Sequence, residues 1–396
     1  MYKKLFIFIA LVSLLSNIDL IAQKDSLQNE PQNTVQRMYQ QDAKLTIGAY
    51  GQIDYNQEVN SQTNYNGNMD VHRMVLLFGY KFNSKTSFFT EIELEHVKEV
   101  FVEQAFLNHK INDWLNFRAG LMLIPMGFIN EYHEPPLFNG VERPNVDKYI
   151  VPTTWREIGL GFSGRLKEYS IKYQLYVTNG FLGYDGSANF NGKNGLRGGR
   201  QKGAKSIFSS PNITGRIDYY AIPGLKLGLS GYFGNSQSTA YNGIDKNDDV
   251  LQQSADSTVV GISMLGIDVQ YNINGFGLRG QFNISQHSNT LAYNQFTGSD
   301  FGSQLMGYYF ELSYNALQSL QTKHQLTPFV RYENYNTHSS VAESITINDA
   351  YAREEYIFGI GWKMHPNAVL KADYQILNEG NNSPRNFFNM GVGVMF

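Results

Sequence analysis

Residues 353–378 read REEYIFGIGWKMHPNAVLKADYQILN. In the first half Tyr356, Phe358, Ile360 and Trp362 share one parity and Glu355 and Lys363 the other. In the second half Leu370, Ala372, Tyr374 and Ile376 oppose Lys371, Asp373 and Gln375. Side chains alternate across a strand, so a period of two gives one dry face and one wet face. Pro366-Asn367 between the halves is a tight-turn signal. The stretch therefore reads as a β-hairpin with an apolar, aromatic outer side.

The same period runs from Ala43 to the C-terminus. In 85–96 Phe88, Ile92 and Leu94 oppose Glu91, Glu93 and Glu95. In 170–179 Ile171, Tyr173, Leu175 and Val177 oppose Lys172, Gln174, Tyr176 and Thr178. In 276–286 Phe276, Leu278, Phe282 and Ile284 oppose Arg279, Gln281 and Asn283. Sixteen strands are expected: 43–55, 70–82, 85–96, 100–110, 114–122, 157–167, 170–179, 212–222, 225–234, 258–272, 276–286, 304–315, 325–335, 353–364, 368–378 and 387–396. An even count lets both edges of an antiparallel sheet meet and close. Short turns, at Asn83-Ser84, Pro223-Gly224 and Asn274-Gly275 for example, alternate with long connections at 123–156, 180–211, 235–257, 287–303 and 336–352. The connection near 97–99 breaks that rule by being short. Two strands fit poorly: Val100, Phe101 and Val102 do not alternate, and Pro328 lacks the N–H its ladder needs and should break it, close to the periplasmic end where a bulge is tolerable.

Composition agrees with a barrel in lipid. Charged residues make up 17% of the 396, below the roughly 25% of soluble domains, while aromatics reach 14% and glycine 37 residues. Mean hydropathy is nevertheless −0.34. A strand with one face to lipid and one to water averages near neutral, which resolves the conflict. The net charge of −3 gives no basic excess for nucleic acid. With no cysteine, disulfides, thiolate metal sites and thiol nucleophiles are excluded. No cofactor is expected.

Both ends carry targeting signals. Lys3 and Lys4 precede an apolar run, Leu5 to Leu15, too short to span a bilayer. Residues 1–22 read as a signal peptide cut after Ala22, and the polar residues 23–42 as a periplasmic lead segment. At the other end Phe388, Met390, Val392, Val394 and terminal Phe396 alternate with Asn389, Gly391 and Gly393. A last strand ending on an aromatic residue is the form that barrel-assembly machinery recognises. The expected place is thus the outer membrane of a Gram-negative cell, in contact with lipid and lipopolysaccharide.

A barrel of sixteen strands leaves an aqueous lumen unless loops fill it. The loop 123–156 is the expected constriction, folded inward and stiffened by prolines 125, 135, 136, 144 and 152. Its charged residues are Glu131, His133, Glu134, Glu142, Arg143, Asp147, Lys148 and Arg156, a mixture of signs across the opening. The expected wall is Glu91, Glu93, Glu95, Arg118, Lys172, Arg216, Arg279, Glu311, Arg331 and Lys371, with Lys226, Lys363, Asp218, Asp268, Glu333, Glu355 and Asp373 sharing its parity. That lining is mixed and predicts no strong ion preference.

Phe117-Arg118-Ala119-Gly120 followed by Leu123-Ile124-Pro125-Met126-Gly127 resembles the strand-to-loop segment of the phosphate-selective porin O and P family. The longer run through Tyr132-His133-Glu134-Pro135-Pro136 and Asn139-Gly140-Val141-Glu142-Arg143-Pro144 is similar to its Bacteroidetes-type members. The resemblance implies a sixteen-stranded, trimeric, passive porin. Phosphate selectivity does not follow, because the lumen parity carries as many acids as bases.

The expected function is passive diffusion of small hydrophilic solutes or ions through a lumen narrowed by 123–156. The alternatives are a plugged structural or adhesive surface barrel, and a barrel lipase or protease. For the latter only Ser285 and His287 are near each other, with no orienting partner in the sequence. Lys193, Arg197, Arg200, Lys202 and Lys205 in 180–211 suit a mouth that gathers anions, a lipopolysaccharide contact or a mobile loop. Asp245-Lys246-Asn247-Asp248-Asp249 lacks the glycine and distal glutamate of a calcium loop and reads as a solvated turn.

Overall fold

A computed structural model describes residues 33–60 and 62–396. The signal peptide expected at 1–22 and the first part of the lead segment lie outside the described residues. The strands are β1 (Leu45–Val59), β2 (Asn68–Lys81), β3 (Thr86–Glu95), β4 (Glu99–Lys110), β5 (Asn116–Leu123), β6 (Arg156–Leu166), β7 (Ile171–Thr178), β8 (Leu182–Tyr184) and β9 (Asn212–Tyr219). They continue as β10 (Leu225–Asn235), β11 (Gln237–Ser238), β12 (Gly261–Ile273), β13 (Phe276–Ser288), β14 (Gln304–Tyr314), β15 (Gln325–Ser340), β16 (Ala352–His365), β17 (Ala368–Glu379) and β18 (Arg385–Met395). All but β8 and β11 form one closed barrel of sixteen strands, in which each strand pairs with its neighbours in sequence. β1 closes on β18 in antiparallel register, with Tyr50 opposite Met395 and Ile53 opposite Val392. β8 and β11 pair with each other in parallel among the long loops.

The outer face is the apolar set that parity selects. Phe358, Ile360 and Trp362 of β16 lie opposite Tyr374, Ala372 and Leu370 of β17 and are exposed on the outside. Lys371, Asp373, Glu355 and Glu333 point inward and are buried. A transmembrane barrel needs this division, because lipid offers polar groups no partner and closure removes the open edges.

Three expectations are corrected. In β3–β4 Glu91 lies opposite Gln104 but Ile92 lies opposite Val102, so Glu103 is an extra residue. The bulge turns both Glu103 and Gln104 inward and switches the outward parity from Val100 and Val102 to Leu107, while Phe101 breaks the pattern as an inward aromatic lying under Arg156 and Lys202. Pro328 breaks the ladder on one side only and needs no bulge: β15 stays in register with β16 through it, Pro328 opposite Ile360, while its pairing with β14 ends at Phe329. Leu326 accepts from Ala316 on the β14 side, so Pro328, of the same parity, also faces that side, where the ladder ends at Phe329. Its missing N–H thus faces Tyr314, the last residue of β14, and the β14–β15 ladder stops there, with a backbone bond between Ala316 and Leu326 beyond it. Finally, the long connections are partly helical, with helices at Asp249–Asp256 and Thr290–Thr297, so β12 begins three residues later than expected. The short connection after β3 is made by His96 and Val97, which both take positive φ, 51° and 68°.

The described part of the lead segment is a short helix packed on the barrel. Helix α1 (Thr34–Gln40) buries Thr34 and Met38 at the end of the barrel that carries the short turns. Gly48 of β1 lets it approach, since a Cβ there would strike Thr34. Asn33 caps the helix by accepting from Gln36 N–H at 2.8 Å, and its side-chain amide donates to the Glu131 carbonyl at 2.9 Å.

Candidate functional site

The connection from β5 to β6 enters the barrel and crosses it. Asn130 ties its two feet together, donating to the carbonyls of Ile124 and Trp155 at 2.8 and 2.9 Å and accepting from Trp155 N–H at 3.0 Å. Between the feet the chain reaches β14–β17 on the far wall. There the inward carboxylates receive it. Glu311 accepts from Asn139 at 2.8 Å, Asp373 from Val141 N–H at 2.6 Å, Glu333 from Val146 N–H at 3.1 Å and Glu355 from Asn145 at 2.8 Å. Lys371 donates to the carbonyls of Phe138 and Gly140 at 2.7 and 2.8 Å. Each bond satisfies a loop backbone or amide group that would otherwise be buried without a partner. Groups expected to line open water serve instead as docking points.

The loop also carries an apolar side. Ile124, Phe128, Val146, Ile150 and Trp155 join Phe181, Phe190 and Leu196 of the next long loop and the inward Tyr232, Tyr309 and Tyr335 in one buried cluster. Trp155 stacks on Phe181 with ring centroids 4.4 Å apart and lies 4.7 Å from Tyr232. Loop 180–211 therefore forms a second layer over the first. Its Arg200 donates to Thr153 O, and only Lys193 and Lys205 of its five cations are fully exposed. The turn at Asp245 has a structural task, since Asp248 caps helix Asp249–Asp256 by accepting from Leu251 N–H at 3.0 Å.

The remaining predicted site residues fall as follows. Glu131 pairs with Lys172 at 2.7 Å. His133 stands between Glu91 and Glu103, and Arg156 binds the other side of Glu103 at 3.2 Å. Glu134 accepts from Thr34 N–H at 2.7 Å, Glu142 from Asn56 at 3.4 Å, and Arg143 donates to His133 O at 2.9 Å. Asp147 accepts from Gln281 at 2.8 Å, whereas Lys148 is exposed. On the wall Arg73 pairs with Glu93 at 3.3 Å, and Glu95 is half-buried at the rim. Arg216 lies between Asp218 and Asp268, both at 2.7 Å. Arg331 lies 3.6 Å from both Glu311 and Glu333. Arg118 donates to Asn108 at 3.0 Å. Phe396 leaves its side chain outside, 70% exposed, and pairs with Ala49 through its backbone. Sequence reasoning missed Asn130, Glu103 and Arg73. Only Glu103 had a signal, the local failure of alternation.

Burial also pushes two loop carboxyls up to about 7, Glu134 and Asp147. Ser285 donates to or accepts from His287 Nε2 at 2.7 Å, and the orienting partner absent from the sequence reading is a backbone carbonyl, Gly302 O, 2.9 Å from Nδ1. Ser285 is wholly buried, and the His287 ring beside it packs on Phe301.

Pairing changes the sign of what stays open. Toward the end with the short turns lies a cavity of about 780 Å³, lined by Arg279, Lys363 and Lys371 together with Asn139, Asn315 and Gln325. Among the described residues that line it there is no carboxylate. Arg279 reaches Glu311 only at 3.9 Å, and Lys363 has no hydrogen-bond or ion-pair partner among the described residues. The mixed lining expected from parity is thus sorted: acids dock the loop or pair, and the larger cavity is left with cations.

No protein-family model matches the chain. Among solved structures it is similar in fold to the anion-selective porin from Comamonas acidovorans, with 10% identity, a TM-score of 0.55, and 89% of this chain and 100% of that one covered. The OmpF of Salmonella typhi in complex with daunomycin superimposes with a TM-score of 0.55 and 13% identity, over 89% of this chain and 97% of that one. The outer membrane channel DcaP of Acinetobacter baumannii gives the same TM-score at 10% identity, over 89% and 97%. These likenesses show the architecture of outer-membrane porins. In sequence, a protein of Aquifex aeolicus (strain VF5) described as uncharacterized is 31% identical over 347 residues, which cover 85% of this chain and 77% of that protein. The chain belongs to the family of that Aquifex protein, and its fold is that of the outer-membrane porin barrels.

Proposed function

We propose that the protein is an outer-membrane porin through which small hydrophilic solutes and ions diffuse passively, with loop 123–156 as the element that narrows the path. The observation that carries this reading is the polar cavity of about 780 Å³ inside a closed sixteen-stranded barrel. Because Arg279 and Lys363 face it without close carboxylate partners, the lining attracts anions, and the permeant class favoured is small anionic solutes. Phosphate in particular is not singled out by any group here. A kinship with the phosphate-selective porin O and P family, assembly as a homotrimer and delivery by the barrel-assembly machinery belong to the same reading. Recording from purified protein in planar bilayers tests it: steady ohmic conductance, with a reversal potential in a salt gradient that favours anions, is the expected result.

One observation favours a second reading. The apolar cluster built on Phe128, Val146, Ile150 and Trp155 spans the lumen and excludes water where it packs. A plugged surface barrel would have such a core. Silent bilayers from folded, heat-modifiable protein would favour that alternative over the porin.

A further inference from the structure

Four donor atoms converge where loop 123–156 meets β1, β3 and β4. His133 Nδ1 donates to the carbonyl of Asn130 at 2.9 Å. With Nδ1 so engaged, Nε2 is the nitrogen left to a metal, and an ion binding there would displace the proton that the ring otherwise shares with the two carboxylates. Nε2 faces Glu91 Oε1 at 3.6 Å and Glu103 Oε2 at 3.5 Å. The hydroxyl of Tyr50 lies 2.8 Å from Nε2, 3.0 Å from Glu91 Oε1 and 3.4 Å from Glu103 Oε2. A tetrahedron of donors about 2.0–2.2 Å from a central ion has edges of about 3.3–3.6 Å, which the two histidine–carboxylate separations match.

The other carboxylate oxygens are held from behind. Gln104 donates to Glu91 Oε2 at 2.6 Å and Arg156 to Glu103 Oε1 at 3.2 Å. Such outer partners aim the facing oxygens inward. A separate observation points to a ligand and to its way in. A cavity of about 160 Å³ is lined by Glu91, His133 and Glu134. Glu134 is only 3% exposed, and its Oε2 is buried without a hydrogen-bond partner among the described residues. A second trio, Asp54, His72 and Glu142, fits less well, because His72 spends Nδ1 on Asp54 and Nε2 on Arg73.

We propose that Glu91, Glu103 and His133 bind one divalent transition-metal ion of the zinc class, with the Tyr50 hydroxyl or a water completing four-coordination. Imidazole with two carboxylates suits Zn²⁺. The ion would join the loop to β3 and β4 and so hold the constriction in place. This assignment does not depend on the porin reading, since binding is measured without transport.

The test is equilibrium dialysis of the full-length chain in detergent against Zn²⁺, with elemental analysis. The expected result is one Zn²⁺ per chain, with affinity reduced at least about tenfold in His133→Gln and in Glu103→Gln and retained in His72→Gln. Because substitution in a buried cluster can impair folding, the unmutated protein is also loaded with Co²⁺, whose visible spectrum should report a tetrahedral site that Zn²⁺ displaces. Folded protein that takes up no Zn²⁺, loss of binding in His72→Gln but not in His133→Gln, or a six-coordinate Co²⁺ spectrum would overturn the assignment.

Discussion

Trp155→Ala is expected to unlatch loop 123–156 without unmaking the barrel. Trp155 is fully buried, stacks on Phe181, packs at a tilt against Tyr232, and donates through its indole N–H to Glu157 at 3.0 Å. Truncating a buried tryptophan costs about 3–5 kcal/mol. The strand ladders do not include this side chain, so the cost falls on the docked loop rather than on the barrel. With about 1.4 kcal/mol per tenfold, the ratio of released to docked loop should rise by roughly two to three orders of magnitude. The assay is single-channel recording in planar bilayers, with the cold and heated forms compared on a gel to show that the barrel is folded. Larger or more frequent open events are expected in the variant. Trp362→Phe, on the lipid side, serves as the control and should change neither. If folded Trp155→Ala protein conducts and gates as the unmodified protein does, the loop is not what limits passage.

Four further outcomes follow from the same contacts. Arg216→Met leaves Asp218 and Asp268 buried beside each other with no cation between them, a loss of about 3–5 kcal/mol that should lower the temperature at which the folded gel band converts; an unchanged conversion temperature would count against the buried pairing. Lys363→Gln removes an unpaired cation from the larger cavity and should weaken anion preference, read as a shift of the reversal potential toward zero. Glu134 and Asp147 have carboxyls raised to about 7 in the docked loop, so they favour docking fully below the usual carboxylate range near 4 and lose that contribution as pH rises through 7; open events should become more frequent from pH 6 to pH 8, and a flat profile would remove these groups from the gating account. Phe396→Ala deletes a side chain that lies outside the barrel while its backbone pairing with Ala49 remains, so refolding in detergent should be nearly unaffected while the amount reaching the outer membrane in cells falls.

Strand number, strand order and the division into an outer apolar and an inner polar face were legible in the sequence, because parity along a strand is a local property. Phe358, Ile360 and Trp362 had to share a face whatever else the chain did, and neighbouring strands joined by short turns had to pair. The bulge at Glu103 shows where that logic stops: one extra residue reverses parity, and only the partner strand tells which residue is extra. The fate of the inward charges was not legible at all. Glu311, Glu333, Glu355 and Asp373 find their partners on a loop 172 or more positions away, so local spacing carries no trace of the contact. Closing the cylinder set the distance the loop had to cross, and burial then required each carboxylate to take a donor. That demand, acting across the lumen rather than along the chain, consumed the acids and left the cations at the open end.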